Sequence, residues 1–202
     1  MKEMLENLKA IIKNVLIEIY HPFGFALILS ALFMYVHKQC DSWKTAIKKW
    51  MTWFKTDASF RRMFIFVTYI IIVLFRTLTN RGMAINPVNN IIGIWRINNF
   101  DENSKQIVLV NLVLFIPFTI LLFWNFSFKL LKKLKLTTII LQSLKITFLF
   151  SLAIEFLQLF LRTGFWQISD LFFNTLGGTI GGILYWVVYR VKKTKKQKFK
   201  ER

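Results

Sequence analysis

The chain has 202 residues, a formal net charge of +18 and 55% hydrophobic side chains, among them 22 Phe and 7 Trp. A water-soluble domain of this length is rarely so apolar, and windows long enough to cross a bilayer recur along it. The composition therefore argues against a soluble enzyme or binding module and predicts an all-α, polytopic membrane protein, one helical bundle over 1–202 with no separate soluble domain. On a soluble chain such a charge would suggest nucleic acid. Here the basic residues fall between and after the apolar runs, where they set topology, so the expected partner is the lipid bilayer and not nucleic acid.

In chain order, residues 1–15 (MKEMLENLKAIIKNV) place Leu5, Leu8, Ile12 and Val15 at helical spacing. They read as an interfacial helix or as a plain extension of the first span. That span covers about 16–37. Lys2, Lys9 and Lys13 precede it in the manner of a signal peptide, but it ends in YVHKQC with no small-residue cleavage site, so an uncleaved span is expected. The single cysteine, Cys40, excludes an internal disulfide and a cysteine-cluster metal site, and is expected as a reduced cytoplasmic thiol. Four more spans follow at about 62–79, 106–124, 137–161 and 171–189, each of roughly the 17–25 residues that a helical crossing needs. The 38–62 loop holds Lys38, Lys44, Lys48, Lys49, Lys55, Arg61 and Arg62. The 125–136 loop holds four lysines, and 190–202 forms a basic tail. The positive-inside rule makes these three segments cytoplasmic, which gives an N-terminus outside and a C-terminus inside. Lys2, Lys9 and Lys13 oppose this orientation but are outnumbered by the next loop.

Polar residues interrupt the apolar runs at one level. On that topology Arg76 lies near the outer end of the second span and Asn111 about a turn inside the third. Glu155 and Gln158 fall in the outer third of the fourth span, Asp170 and Asn174 near the outer end of the fifth. Glu155, Gln158 and Arg162 follow i, i+3, i+7, and Ser151 extends that helix face by a turn; Asp170 and Asn174 follow i, i+4. A charged side chain at the bilayer centre costs roughly 2.5–3.5 kcal/mol even on insertion scales, so these groups are expected to face one another or a wet cavity. Two readings stay open. One is a clamp in which Arg76 or Arg162 neutralises Glu155 and Asp170 while Asn111 and Asn174 bridge helices. The other is a binding site, in which two carboxylates with nearby arginines hold a polar head group.

The run NTLGGTIGG contains Gly177-x-x-x-Gly181 and Gly178-x-x-x-Gly182. Small residues four apart let helix backbones approach closely, so these glycines are assigned to packing of the fifth span. Pro117 is expected to kink the third. No cofactor motif and no metal-ligand spacing stands out.

Three of these segments together resemble the VanZ family: Asn111-Leu-Val-Leu-Phe-Ile-Pro117-Phe, Glu155-Phe-Leu-Gln158, and Asp170-Leu-Phe-Phe-Asn174-Thr-Leu-Gly177-Gly178. FRRMFIFVTYIIIVLFRTLTNR and NPVNNIIGIW are similar to the membrane and loop region of longer members, so the resemblance covers roughly 60–190. One departure is Thr119, where the family pattern has a glycine after the Pro-Phe or Pro-Leu pair. The resemblance implies an integral protein of the bacterial cytoplasmic membrane, associated in Gram-positive bacteria with resistance to glycopeptide antibiotics, teicoplanin in particular. It does not imply a mechanism.

Three functions are compatible with these readings. The first is a cell-envelope protein whose outward polar layer, flanked by the aromatic loop residues Trp95 and Trp166, binds a lipoglycopeptide or a cell-wall lipid precursor. The second is an enzyme acting on an envelope lipid, with Glu155 and Asp170 as an acid–base pair. Against it, there is no convincing nucleophile–base constellation; His21, three residues after Glu18, is a weak candidate and His37 reads as an interfacial residue. The third is a small transporter, which five spans without a repeat make unattractive unless the chain oligomerises. Lys145 needs no transport pathway, since its side chain can snorkel.

Overall fold

The computed structural model describes residues 2–38, 42–79, 85–86, 88, 90–96, 102–131 and 134–200. Among the described residues six helices follow in order: α1 Lys2–His37, α2 Trp43–Thr56, α3 Ala58–Thr79, α4 Glu102–Leu130, α5 Leu136–Leu161 and α6 Ile168–Lys200, with a 3₁₀ turn at Gly93–Arg96. Among the described residues α3, α4, α5 and α6 are each long and apolar enough to cross a membrane, and Pro22–His37 of α1 adds a shorter apolar stretch. The protein is thus an all-helical, multi-pass membrane protein. The chain divides into two compact units, Met1–Met83 and Ala84–Arg202.

In the first unit α1 is one continuous helix, so residues 2–15 and the apolar stretch Pro22–His37 belong to the same helix. Cys40 and the side chains of Glu18 and His21 lie outside the described residues. Helix α1 runs antiparallel to α3: Phe25 meets Phe75 at a ring separation of 5.7 Å, and five residues further along α1 the Thr68 hydroxyl donates to Ser30 Oγ at 2.9 Å. That bond satisfies two polar groups in an apolar interface, the usual role of Ser and Thr between membrane helices.

The 38–62 stretch is not a plain loop. Its middle is α2, whose Ala46, Trp50, Trp53 and Phe54 recur at helical spacing, with Trp50, Trp53 and Phe54 packed around Phe60 of α3. Arg61 closes the end of α2, donating from Nη1 to the carbonyls of Phe54 (2.6 Å) and Lys55 (3.1 Å). Asp57 then starts α3. Its carboxylate accepts from the Ser59 and Phe60 amides at 2.8 and 3.2 Å, satisfying two of the otherwise unpaired N–H groups of the first turn.

In the second unit α6 is the centre. Gly177 and Gly181 face the backbone carbonyls of Leu112 and Ile116 on α4, so close that a Cβ at either glycine would run into the carbonyl oxygen. Both contacts advance by four residues on each helix, so α4 and α6 run parallel. Gly178 and Gly182 face Thr147 and Ser143 of α5, which runs antiparallel. The two glycine pairs, offset by one residue or about 100°, thus seat two different helices. Helix α4 continues through Pro117. Thr119 is fully buried and meets Thr147 Oγ1 across the α4–α5 contact at 3.3 Å.

The segment expected as a solvated tail from residue 190 is helical to Lys200. It holds no Gly or Pro after Gly182, and Lys, Arg and Gln are good helix formers.

Candidate functional site

Buried polar residues line α5 along most of its length, and towards its C-terminal end they meet those at the starts of α4 and α6. On α5, Ser143, Thr147, Ser151 and Glu155 fall four residues apart, with Gln158 a turn further, and none is more than 1% exposed. On α6, Ser169, Asp170 and Asn174 are buried to within 3%. On α4, Asn111 is 8% exposed. Its neighbour Leu112 lies against Gly177, one turn from Asn174, so Asn111 and Asn174 sit at nearly the same height.

Hydrogen bonds tie this layer together. Asn174 Nδ2 donates to Ser151 Oγ at 2.9 Å, joining α6 to α5. Glu155 Oε2 accepts the Gln167 amide at 2.8 Å, the last residue before α6, so the carboxylate sits at the positive end of that helix. Asp170, in the first turn of α6, enjoys the same favourable field. These contacts hold the two acidic residues at the junction between α5 and α6.

The 90–96 stretch docks on that junction. Ile91 O accepts from the Ile168 amide at 2.8 Å, and Ser169 Oγ accepts from the Ile94 amide at 3.3 Å. Gly93, at φ 66°, packs directly over Ser169, where any side chain would collide with the hydroxyl. Trp95 lies edge-on to Phe172 at 5.6 Å and tilted to Phe173 at 6.3 Å. Part of the loop thus covers the start of α6. Ser169, Ser143 and Thr147 had no place in the sequence argument, although the repeat of small polar residues every fourth position in α5 was available to find two of them.

Two candidate residues sit differently. Arg162 does not continue the Glu155–Gln158 face. Helix α5 ends at Leu161, and Arg162 takes a left-handed conformation (φ 55°, ψ 29°) with its side chain exposed. The Thr163 amide bonds back to Gln158 O at 3.0 Å and the Arg162 amide to Leu159 O at 3.4 Å, the two bonds of a Schellman turn, whose left-handed position usually holds glycine. Spacing of i+7 fails because the helix has already closed. Arg76 is half-buried in the last turn of α3 and belongs to the first unit, whereas Asn111, Glu155, Gln158, Asp170 and Asn174 belong to the second.

Buried polar atoms in this region with no hydrogen-bonding partner among the described residues include Asn111 Nδ2, Asn174 Oδ1, Thr163 Oγ1 and Trp166 Nε1. Each such atom costs about 1–3 kcal/mol when left unmade, and native proteins hold few of them. Among the described residues no group of three or more His, Cys, Asp or Glu side chains could hold a metal ion.

No curated protein and no solved structure matches the chain. The family model described as VanZ/LLP1 matches residues 45–189, a range that holds the Asn111 segment, the Glu155–Gln158 pair, the Asp170–Asn174 element and both glycine pairs. With most of its length covered by that match, the chain belongs to the VanZ family.

Proposed function

We propose that this VanZ-family protein lowers susceptibility to lipoglycopeptides of the teicoplanin type, acting in the bacterial cytoplasmic membrane through the polar layer of α4, α5 and α6. In this reading the layer faces outward and takes the polar part of a lipidated or lipid-linked molecule, whose chain stays in the bilayer. The observation that carries it is the pair Asn111 Nδ2 and Asn174 Oδ1, both buried and both without a partner among the described residues. A clamp built only to join helices would leave no donor and acceptor unmatched at one level, because each is costly in an apolar surround. A ligand bearing hydroxyl and amide groups supplies both complements. Glu155 and Asp170 add acceptors beside them.

The test is teicoplanin susceptibility of a sensitive Gram-positive host carrying empty vector, wild type or Glu155→Gln, with membrane levels matched. The amide of Gln can still accept the Gln167 N–H, so the α5–α6 junction is retained while the charge is removed. Protection by wild type and its loss in Glu155→Gln support the site. Equal protection by both makes the layer a clamp. No protection by wild type removes the resistance role. Extraction of membrane lipids from the same strains separates binding from chemistry: a lipid product present only with Glu155 intact would make the protein an enzyme.

A further inference from the structure

Helix α2 has four lysines, Lys44, Lys48, Lys49 and Lys55, and no acidic residue. One face, formed by Ala46, Trp50, Trp53 and Phe54, packs on the protein, with Ala46 only 1% exposed. Next to it lie Ile47 and Met51, at i, i+4, each 60% exposed. The face beyond them holds Lys44, Lys48 and Lys55 at i, i+4, i+11, all exposed, and Thr45, Thr52 and Thr56 follow on the far side. An apolar strip flanked on one side by cations and then by hydroxyls is the pattern of a helix lying in a membrane interface.

Its position fits. The ring contacts of Trp50, Trp53 and Phe54 on α3 fall on Phe60 and Phe64, in the first two turns of that span. Lys38, just past the end of α1, lies 5.3 Å from the ring centre of Trp53. Helix α2 therefore packs at the end of α1 and the start of α3. Since α3 is long and apolar enough to span and begins two residues after α2 ends, α2 sits at the depth of the lipid head groups.

We propose that α2 is an in-plane anchor that binds anionic phospholipid of the surrounding leaflet. Ile47 and Met51 seat in the acyl-chain boundary. Lys44, Lys48 and Lys55 engage head-group phosphates, and the threonine face looks to water. Each lysine so placed strengthens the attraction about fivefold at moderate salt. This is independent of the polar layer in the second unit.

The test uses the full-length chain in a Cys40→Ser background, with a spin label introduced by Ile47→Cys, Met51→Cys or Thr52→Cys. The protein is reconstituted in bilayers of phosphatidylcholine alone or mixed with phosphatidylglycerol. Accessibility to oxygen and to a water-soluble nickel chelate gives the depth of each label. The labels at 47 and 51 should favour oxygen several-fold in the mixed bilayer and the label at 52 the nickel chelate. Lys44→Gln/Lys48→Gln/Lys55→Gln should make the label at 51 as shallow in the mixed bilayer as in phosphatidylcholine, and the matching Lys→Arg triple should keep it deep. Labels at 47 and 51 that see water equally in both bilayers would overturn the proposal. So would labels shielded from both reagents, since that means protein, such as a second copy, covers this face. A depth that ignores phosphatidylglycerol or the lysines would overturn the lipid preference.

Discussion

Replacing glycine by alanine inside a helix normally stabilises it by about 1 kcal/mol. At Gly177 the structure predicts the opposite sign. A methyl group there meets the Leu112 carbonyl oxygen, with the carbonyl carbon at 2.9 Å and Cα at 3.0 Å. All three are backbone atoms, so no rotamer relieves the clash, and α4 and α6 must move apart by more than about 1 Å to restore normal carbon contacts of ~3.5–4.0 Å. Overpacking of this kind costs about 1–3 kcal/mol. Set against the propensity gain, Gly177→Ala should lose up to about 2 kcal/mol and Gly177→Ala/Gly181→Ala up to about 4 kcal/mol. Gly178→Ala differs in kind, because its methyl meets the side chain of Thr147. Thr147→Ala should therefore rescue most of the Gly178→Ala loss and give a coupling of at least about 1 kcal/mol in a double-mutant cycle. No side-chain truncation on α4 should rescue Gly177→Ala. Unfolding of the full-length protein in mixed detergent micelles, followed by helical circular dichroism, measures all of these. A Gly177→Ala protein that is more stable than wild type by about 1 kcal/mol would refute the backbone approach of α4 to α6. A Gly178→Ala loss unchanged by Thr147→Ala would refute the α5 contact.

Three further outcomes follow from local geometry. Arg162→Gly should stabilise the protein by about 1 kcal/mol, since a non-glycine residue in the left-handed region costs about 1–2 kcal/mol; a loss in the same unfolding assay would mean that the arginine side chain makes contacts worth more than this strain. Asp57→Ala should cost about 1 kcal/mol through the lost cap of α3, and Asp57→Asn much less. The Phe60 amide, opposed by partial burial and helped by the Ser59 amide, Lys38 and Arg61, holds the Asp57 carboxyl below its usual 3.8. Its contribution is therefore complete above about pH 4, falls away as pH drops through the lowered folded value, and should vanish from the pH–stability curve of Asp57→Asn. Ser151→Ala should cost about 0.6 kcal/mol, the mean for a hydrogen bond between membrane helices, and in a cycle with Asn174→Ala most of that should appear as coupling.

The spans were legible because length and apolarity alone identify a helix that can cross a bilayer. The glycine pairs were legible because only small residues at that spacing allow backbone approach. Burial of Glu155, Gln158, Asp170 and Asn174 on facing helices follows from the cost of exposing them to lipid. Helix α2 was hidden because its lysines were counted for topology, which left its period of 3.6 unread. Arg162 was misplaced because spacing cannot say where a helix stops; a Schellman turn normally announces itself with glycine, and here the glycine comes two residues later, as Gly164. The docking of residues 90–96 on Ser169 rests on backbone amides, which leave no trace in side-chain patterning. Nor does residue spacing reveal that the chain forms two units.

The one-residue offset between the glycine pairs also fixes how α6 can vary. Asn174 must reach Ser151 while Gly177 meets α4 and Gly178 meets α5. A single residue inserted or deleted between Asn174 and Gly177 would turn the two sections of α6 against each other by about 100° and slide them by about 1.5 Å. Either the amide would leave α5 or each glycine pair would face the wrong helix. Helix α6 therefore works as a keyed shaft: substitutions on its outer surface are free to accumulate, but its length between the polar layer and the glycines cannot change by even one residue without disassembling the unit.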